Sequence, residues 1–191
     1  GSDEIEGQQI GDIQLHWIES KLKQSPFIRD AQSYINLNGD LTIDITQRCP
    51  VIRIINPLGA TYYLDTSCKH IPISETGTFH VPVAAPSGMY SSMNMSGMLT
   101  LDTCLTKLGK EISKDEYLTA LTGQILIQDS GQFTILPRLG NTEIFIGDTS
   151  NLTDKFRRIK TFYQYTLPQT GWHHYRKINL EYLNQIIAIK E

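Results

Sequence analysis

Apolar residues recur along this chain with two different periods, and the switches between them divide it into elements. Leu15, Ile18 and Leu22 lie three and four apart, the spacing that gathers side chains on one face of a helix. Asp12 stands where a carboxylate can accept the free N–H groups of that helix's first turn, and Pro26 forbids its continuation. Period two then takes over. Ala31, Ser33, Ile35 and Leu37 alternate on one predicted strand and Leu41, Ile43 and Ile45 on the next, around a turn at Asn38-Gly39. A two-residue loop would set Ile35 opposite Thr42 and send the apolar sets to opposite faces. A three-residue loop, residues 38–40, pairs Leu37 with Leu41 and Ile35 with Ile43. The alternation therefore predicts the odd loop, with Gly39 or a neighbour at positive φ.

Beyond Pro50 the pattern coarsens. Residues 51–55 and 61–64 are apolar on both faces and flank the turn Asn56-Pro57-Leu58-Gly59, which reads as a covered hairpin. A strand at 69–73 follows the turn at 65–68. Residues 79–83 are strand-like, and Pro82, which cannot donate to a ladder, assigns them to a sheet edge. Residues 84–97, with Pro86, Gly88, Gly97, four serines and three methionines, read as a loop. Met98, Leu101, Leu105, Leu108 and Ile112 form a helical stripe, and Ser113-Lys114-Asp115-Glu116 has the form of a capping box for a second short helix. Strands at 124–128, 132–136 and 142–146 follow. Leu152, Phe156, Ile159 and Phe162 mark another amphipathic helix, ended by Pro168. Two more strands, 175–182 and 184–190, close the chain. The expected fold is α+β: a small α/β domain over residues 1–49, then a larger, mostly antiparallel β-sheet domain with helices packed on it over residues 50–191.

Composition removes several function classes. A net charge of −3 argues against a nucleic-acid binder, which needs a basic face to displace counterions. The densest basic cluster, Lys155, Arg157, Arg158 and Lys160, reads as the solvated face of the helix carrying Phe156, Ile159 and Phe162. No apolar run approaches the ~18 to 20 residues that cross a bilayer. The start at Gly1-Ser2, without Met, reads as the scar of tag removal, so an anchor upstream is expected to be missing. Cys49, Cys68 and Cys104 are odd in number and lack CxxC spacing, so unpaired thiols are expected. The motifs of serine hydrolases, zinc proteases, P-loops and dinucleotide folds are all absent. His173 and His174 are adjacent, which points their rings apart and makes a poor metal pair. The chain reads as a non-catalytic interaction module without cofactor or metal.

The run Gln47-Arg48-Cys49-Pro50 is part of a longer progression. It follows Ile18-Glu19, Ser25-Pro26-Phe27-Ile28 and Gly39-Asp40-Leu41-Thr42-Ile43, and precedes Tyr62-Tyr63-Leu64-Asp65 and Ile71-Pro72-Ile73-Ser74. Leu136-Pro137-Arg138-Leu139-Gly140, Ile146-Gly147-Asp148, Lys155-Phe156, Gly171-Trp172 and Ile178-Asn179-Leu180-Glu181-Tyr182 continue it in order. This progression resembles the FtsQ/DivIB family of bacterial cell-division proteins across most of the chain. Two features depart from it. Residues 3–11 carry little pattern of the family's first POTRA strand, and Thr66-Ser67-Cys68 lacks the glycine usual in that hairpin.

The resemblance implies a POTRA-like domain followed by an extracytoplasmic β domain. It implies a single-pass inner-membrane protein with this portion in the periplasm, acting as a scaffold without catalytic activity. Implied partners are FtsB/FtsL-like divisome proteins, engaged through the C-terminal sheet edge, with a role in controlling septal peptidoglycan synthesis. On this sequence the edge corresponds to Tyr182, Asn184, Gln185, Ile186, Ile187 and Ala188. Tyr182 is expected to supply an aromatic contact, with Asn184, Ile186 and Ala188 on one face. Gln47, Arg48 and Pro50 mark the junction of the two domains, where bracing is the expected role. The rival reading is a POTRA-containing component of protein transport or outer-membrane assembly.

Overall fold

A computed structural model describes residues 13–56, 59–74, 77–87, 95–128 and 130–190, with side chains in the helix that opens at Met95 described from residue 100 onward. The chain divides into two units, Gly1–Cys49 and Pro50–Glu191. The proposed cap at Asp12 and the region of the possible first strand lie outside the described residues.

In the first unit, α1 (Leu15–Lys23) lies beside a two-stranded antiparallel sheet of β1 (Ile28–Ile35) and β2 (Leu41–Gln47). Its register pairs Ile35 with Leu41, Ser33 with Ile43 and Ala31 with Ile45. The turn is indeed odd, but its loop lies one residue closer to β1 than the alternation predicted, which shifts the cross-strand register by two. Asn36 and Asp40 form the closing pair, and Leu37, Asn38 and Gly39 form the loop, with Gly39 at φ 87°. Asn36 decides this. Its side-chain oxygen accepts the N–H groups of Asn38 and Asp40 at 3.0 and 2.8 Å, an Asx-type arrangement that outweighs burial of Leu37. Leu37 is consequently fully exposed.

The helix grips the hairpin through the Ile18-Glu19 pair. Ile18 is buried, and Glu19 accepts the N–H of Ser33 at 2.7 Å, while the Ser33 hydroxyl donates to the Leu15 carbonyl at 3.1 Å. That backbone N–H at the carboxylate holds Glu19 below its ordinary pKa.

The second unit is built on one mixed sheet. Its strands are β3 (Pro50–Ile55), β4 (Thr61–Asp65), β5 (His70–Pro72), β6 (Val83–Pro86), β7 (Thr122–Ile127), β8 (Phe133–Pro137), β9 (Glu143–Gly147), β10 (Tyr175–Asn179) and β11 (Ile187–Lys190). Their spatial order is β11-β10-β9-β8-β7-β6-β3-β4-β5. Most neighbours are antiparallel, but β3/β6, β6/β7 and β9/β10 are parallel. Parallel neighbours need a crossover. Between β3 and β6 it runs through β4 and β5, and the two remaining crossovers are helical. One is α2 (Met95–Ser113) with α3 (Glu116–Leu121), between β6 and β7. The other, between β9 and β10, is α4 (Leu152–Thr161), a π-helical turn (Phe162–Thr166) and α5 (Leu167–Thr170).

Cross-strand partners share a face, so the register defines the core. Ile54, Ala84, Ile125, Ile135, Ile144, Ile178 and Ala188 are successive partners across seven strands. They share one apolar cluster with Leu105, Leu108 and Ile112 of α2, Leu118 of α3, and Leu152, Phe156 and Ile159 of α4. Each fully buried branched side chain here contributes roughly 1.5–3 kcal/mol. The opposite face carries Tyr63, Arg53, Val83, Gln124 and Leu136 in one row, and Leu126, Thr134, Phe145, Asn179 and Ile187 in another.

Several expectations are corrected here. The strand placed at the edge over residues 79–83 is β6, inside the sheet between β3 and β7, and residues 84–86 are strand rather than loop. Pro82 precedes it and still offers its carbonyl to the N–H of Arg53 at 2.9 Å, while small Ala84 gives no alternation signal and packs fully buried. The region read as loop also yields the first turn of α2, from Met95. The cap of α3 is Asp115, which accepts the N–H of Tyr117 at 2.8 Å, and not Ser113, whose hydroxyl turns back to the Lys110 carbonyl. Pro168 does not end its helix. The π turn ahead of it relieves the clash a proline makes with the carbonyl four residues back, and the helix ends at Gly171, φ 96°. At the β4–β5 turn, Cys68 takes the left-handed conformation, φ 61°, where glycine was expected. Asp65 stabilises the turn by accepting the N–H groups of Ser67 and Lys69 at 2.7 and 2.8 Å.

Of the basic cluster, Arg157 is solvated as expected, but Lys155 and Arg158 are not. Lys155 is buried, its ammonium on the carboxylate and carbonyl of Asp148 at 2.9 and 3.0 Å, and Lys160 pairs with Asp115 at 2.6 Å. The Ser150 hydroxyl, then Lys155, hold the Asp148 carboxyl down at about 2. A carboxyl lowered in the folded state stabilises above its ordinary value of 3.8 and loses that contribution as pH falls toward 2. Asp148 is largely exposed, so the effect is no more than about 1 kcal/mol. Urea unfolding of wild type and Asp148→Asn should therefore show a stability difference that is constant above pH ~5 and shrinks between about pH 4 and 2. At Gly109 of α2, an added Cβ would lie 2.8 Å from the Val51 carbonyl oxygen and 3.1 Å from the Ile52 Cβ. Gly109→Ala is expected to destabilise by about 1–3 kcal/mol in the same assay, because the helix must lift from β3.

Candidate docking edge at the C-terminal strand

β11 is the last strand of the sheet and, among the described residues, pairs on one side only, with β10. Tyr175 faces Lys190, Lys177 faces Ile189, Ile178 faces Ala188 and Asn179 faces Ile187, with a bulge between Tyr175 and Lys177. The strand is four residues long, shorter than the pattern suggested. Tyr182, Asn184, Gln185 and Ile186 lie in the turn that delivers it.

That turn is shaped by Asn184, at φ 59°, and by Arg158 of α4. The Arg158 guanidinium donates through Nη2 to the Leu180 carbonyl at 3.1 Å, through Nη1 to the Tyr182 carbonyl at 3.0 Å, and through Nη1 to the Gln185 carbonyl. Its Nε is held by Asp154 at 2.8 Å. Glu181 N–H is accepted by the Asn179 side chain at 2.8 Å. Arg158 therefore serves this turn, which sequence reasoning missed. The signal available to it was an Asp154–Arg158 spacing of four, and that spacing says nothing of the carbonyls beyond.

The six predicted edge residues separate by environment. Ile186 and Ala188 are half-buried against the core, on the side of the sheet that carries the helices. Asn184 and Gln185 are exposed in the turn. Tyr182 and Ile187 are exposed at 47% and 41%, and Leu183 and Ile189, which were not singled out as contacts, at 67% and 38%. The outward apolar set is thus Tyr182, Leu183, Ile187 and Ile189. The bonded edge itself, as backbone, is available over Ile187–Lys190. An open edge with exposed aliphatics is a template for an added strand.

The junction residues fall on either side of the unit boundary. Gln47 closes β2 opposite Ile28, and Arg48 donates its N–H to the Phe27 carbonyl at 2.8 Å, extending the same hairpin. Pro50 opens β3 opposite Asp65. His173 and His174 are exposed, and the three cysteines are free. Among the described residues no group of three or more His, Cys, Asp or Glu side chains is placed to hold a metal ion. No helix of the described residues is long and apolar enough to cross a membrane.

A polar cluster around the buried Asp102 lies near the other end of the sheet. Asp102 of α2 accepts the Tyr62 hydroxyl at 3.0 Å and meets His70 Nε2 at 2.7 Å, and the Tyr62 and His70 rings stack at 4.3 Å. Burial, then the Asp102 charge, pushes the Tyr62 phenol up. The cluster ties α2 to β4 and β5.

A family model described as FtsQ/DivIB, C-terminal related, matches residues 49–189, and one for a POTRA-like domain matches residues 2–46. No curated protein matches the chain significantly. With nearly the whole second unit inside the first of these models and the first unit inside the other, the chain belongs to the FtsQ/DivIB family of non-enzymatic cell-division scaffolds.

Proposed function

We propose that this chain holds FtsB/FtsL-like divisome proteins by strand addition along β11, and through them helps control septal peptidoglycan synthesis. In this reading it is the periplasmic portion of a single-pass inner-membrane protein. The observation that carries it is the unpaired edge at Ile187–Lys190 with Tyr182, Leu183, Ile187 and Ile189 exposed around it. Main-chain hydrogen bonds along such an edge supply affinity, and the flanking apolar side chains supply selectivity. Tyr182 is the aromatic anchor, a residue type that carries much of the binding energy at interfaces. Gln47, Arg48 and Pro50 serve the passage of the chain from the first unit to the second rather than partner contact.

Calorimetric titration with the periplasmic segment of the FtsB-like protein from the same genome tests the edge. Tyr182→Ala and Ile187→Asp should each weaken binding at least tenfold, about 1.4 kcal/mol or more, with an unchanged circular dichroism spectrum. Wild-type affinity in both variants would sink the docking edge. In cells, depletion of the full-length protein should give filaments without septa; normally spaced septa would rule out the division role.

A further inference from the structure

We infer that Arg158 is a positioning residue for the docking edge. It fixes where the free ladder begins, so that an incoming strand pairs along Ile187–Lys190 and meets Tyr182 and Leu183 through their side chains alone. The inference rests on the strand-addition reading above.

A guanidinium carries five N–H groups in a rigid planar fork and has no acceptor. Here Nε is spent on Asp154, and the two terminal nitrogens reach the carbonyls of Leu180, Tyr182 and Gln185. Three carbonyls from one short stretch of backbone thus turn inward onto a single side chain that is 10% exposed. Each of those oxygens already accepts from Arg158, and the chain bends at Asn184, φ 59°, so the turn does not continue the extended edge upstream. Only the strand proper offers its backbone.

The clamp is anchored. Arg158 lies on α4, whose Leu152, Phe156 and Ile159 are buried in the core, and Lys155 of the same helix is bonded to Asp148 beside β9. The turn before β11 is therefore referred to the core through α4. β11 itself has little to hold it: four residues, one neighbouring strand, and side chains that are half-buried or exposed. Terminal strands of this kind open easily. A strand held open-edged and in place before the partner arrives lowers the ordering cost of association. Arg157, one residue earlier, is 73% exposed and pairs with Asp154, which makes it the matched control.

Two measurements on the intact chain test this. Amide exchange of the partner-free protein, read by NMR, should speed up at least tenfold over Ile187–Lys190 in Arg158→Gln, with Ile125, Ile135 and Ile144 unchanged and with Arg157→Gln like wild type. Arg158→Lys, which keeps the charge but cannot reach three carbonyls, should behave like Arg158→Gln. Unchanged exchange in β11, or equal acceleration at every amide, overturns the clamp. Titration of the Arg158→Gln protein with the same FtsB-like segment should show affinity about tenfold lower. A loosened β11 with undiminished affinity overturns the positioning role. If wild type binds nothing, the strand-addition reading and the positioning role fall together, while the exchange result still decides whether the clamp exists.

Discussion

The second unit depends on one contact: a band of aliphatic side chains running across the sheet, pressed from one side by helices. Ile54, Ala84, Ile125, Ile135, Ile144 and Ile178 are cross-strand neighbours, and Leu105, Leu108, Ile112, Phe156 and Ile159 close over them. The apolar area removed from water along this band is the main favourable term in holding so long a sheet together. It also explains the mixed topology. Strands on either side of each helical crossover are parallel, and both crossovers pass over the same face, so the helices form one layer. The band ends at Ala188, where the side chain is small and only half-buried, and that is where the sheet stops.

Polar groups then do what apolar packing cannot: they choose among nearly equivalent placements of turns and ends. Asn36 sets the hairpin register of the first unit against the pull of Leu37 toward burial. Asp115 caps α3 and is itself tied to Lys160 of α4. Asp102 gathers Tyr62 and His70 against α2, and Arg158 collects the carbonyls of the turn before β11. Buried or half-buried polar groups of this kind must be paired, and the pairing fixes geometry more than it adds stability. The same rule explains why Lys155 is inside the fold: Asp148 supplies both a carboxylate and a carbonyl to its ammonium.

Much of this was legible in the chain itself. Helical spacing of Leu15, Ile18 and Leu22, and of Leu105, Leu108 and Ile112, located α1 and α2, because burial of one helix face leaves a period near 3.6 whatever it packs against. Alternation located β1, β2 and the strands around Ile125, Ile135 and Ile144. The glycine turns at Gly39, Gly131 and Gly140 were readable because positive φ has few alternatives to glycine. The ordered motifs from Ile18-Glu19 to Tyr182 were enough to point to the family. The misplaced strand has a local cause. β6 was misplaced because Ala84 and Ala85 are too small to mark a face, and Pro82 drew attention to the edge although the bonded strand starts after it.

The sequence by itself determined most of the elements, the family and the region of the chain that forms the last strand of the sheet, since period, turn chemistry and motif order are properties of residues near one another in the chain. Which face of that edge looks outward was decided only by tertiary structure. Ile186 and Ala188 turn toward the helices and Ile187 and Ile189 away, because register with β10 places Ala188 beside Ile178 in the core row. The role of Arg158 was equally hidden. Its partners lie 22 to 27 residues away, and no spacing in the chain can show that three distant carbonyls converge on one guanidinium.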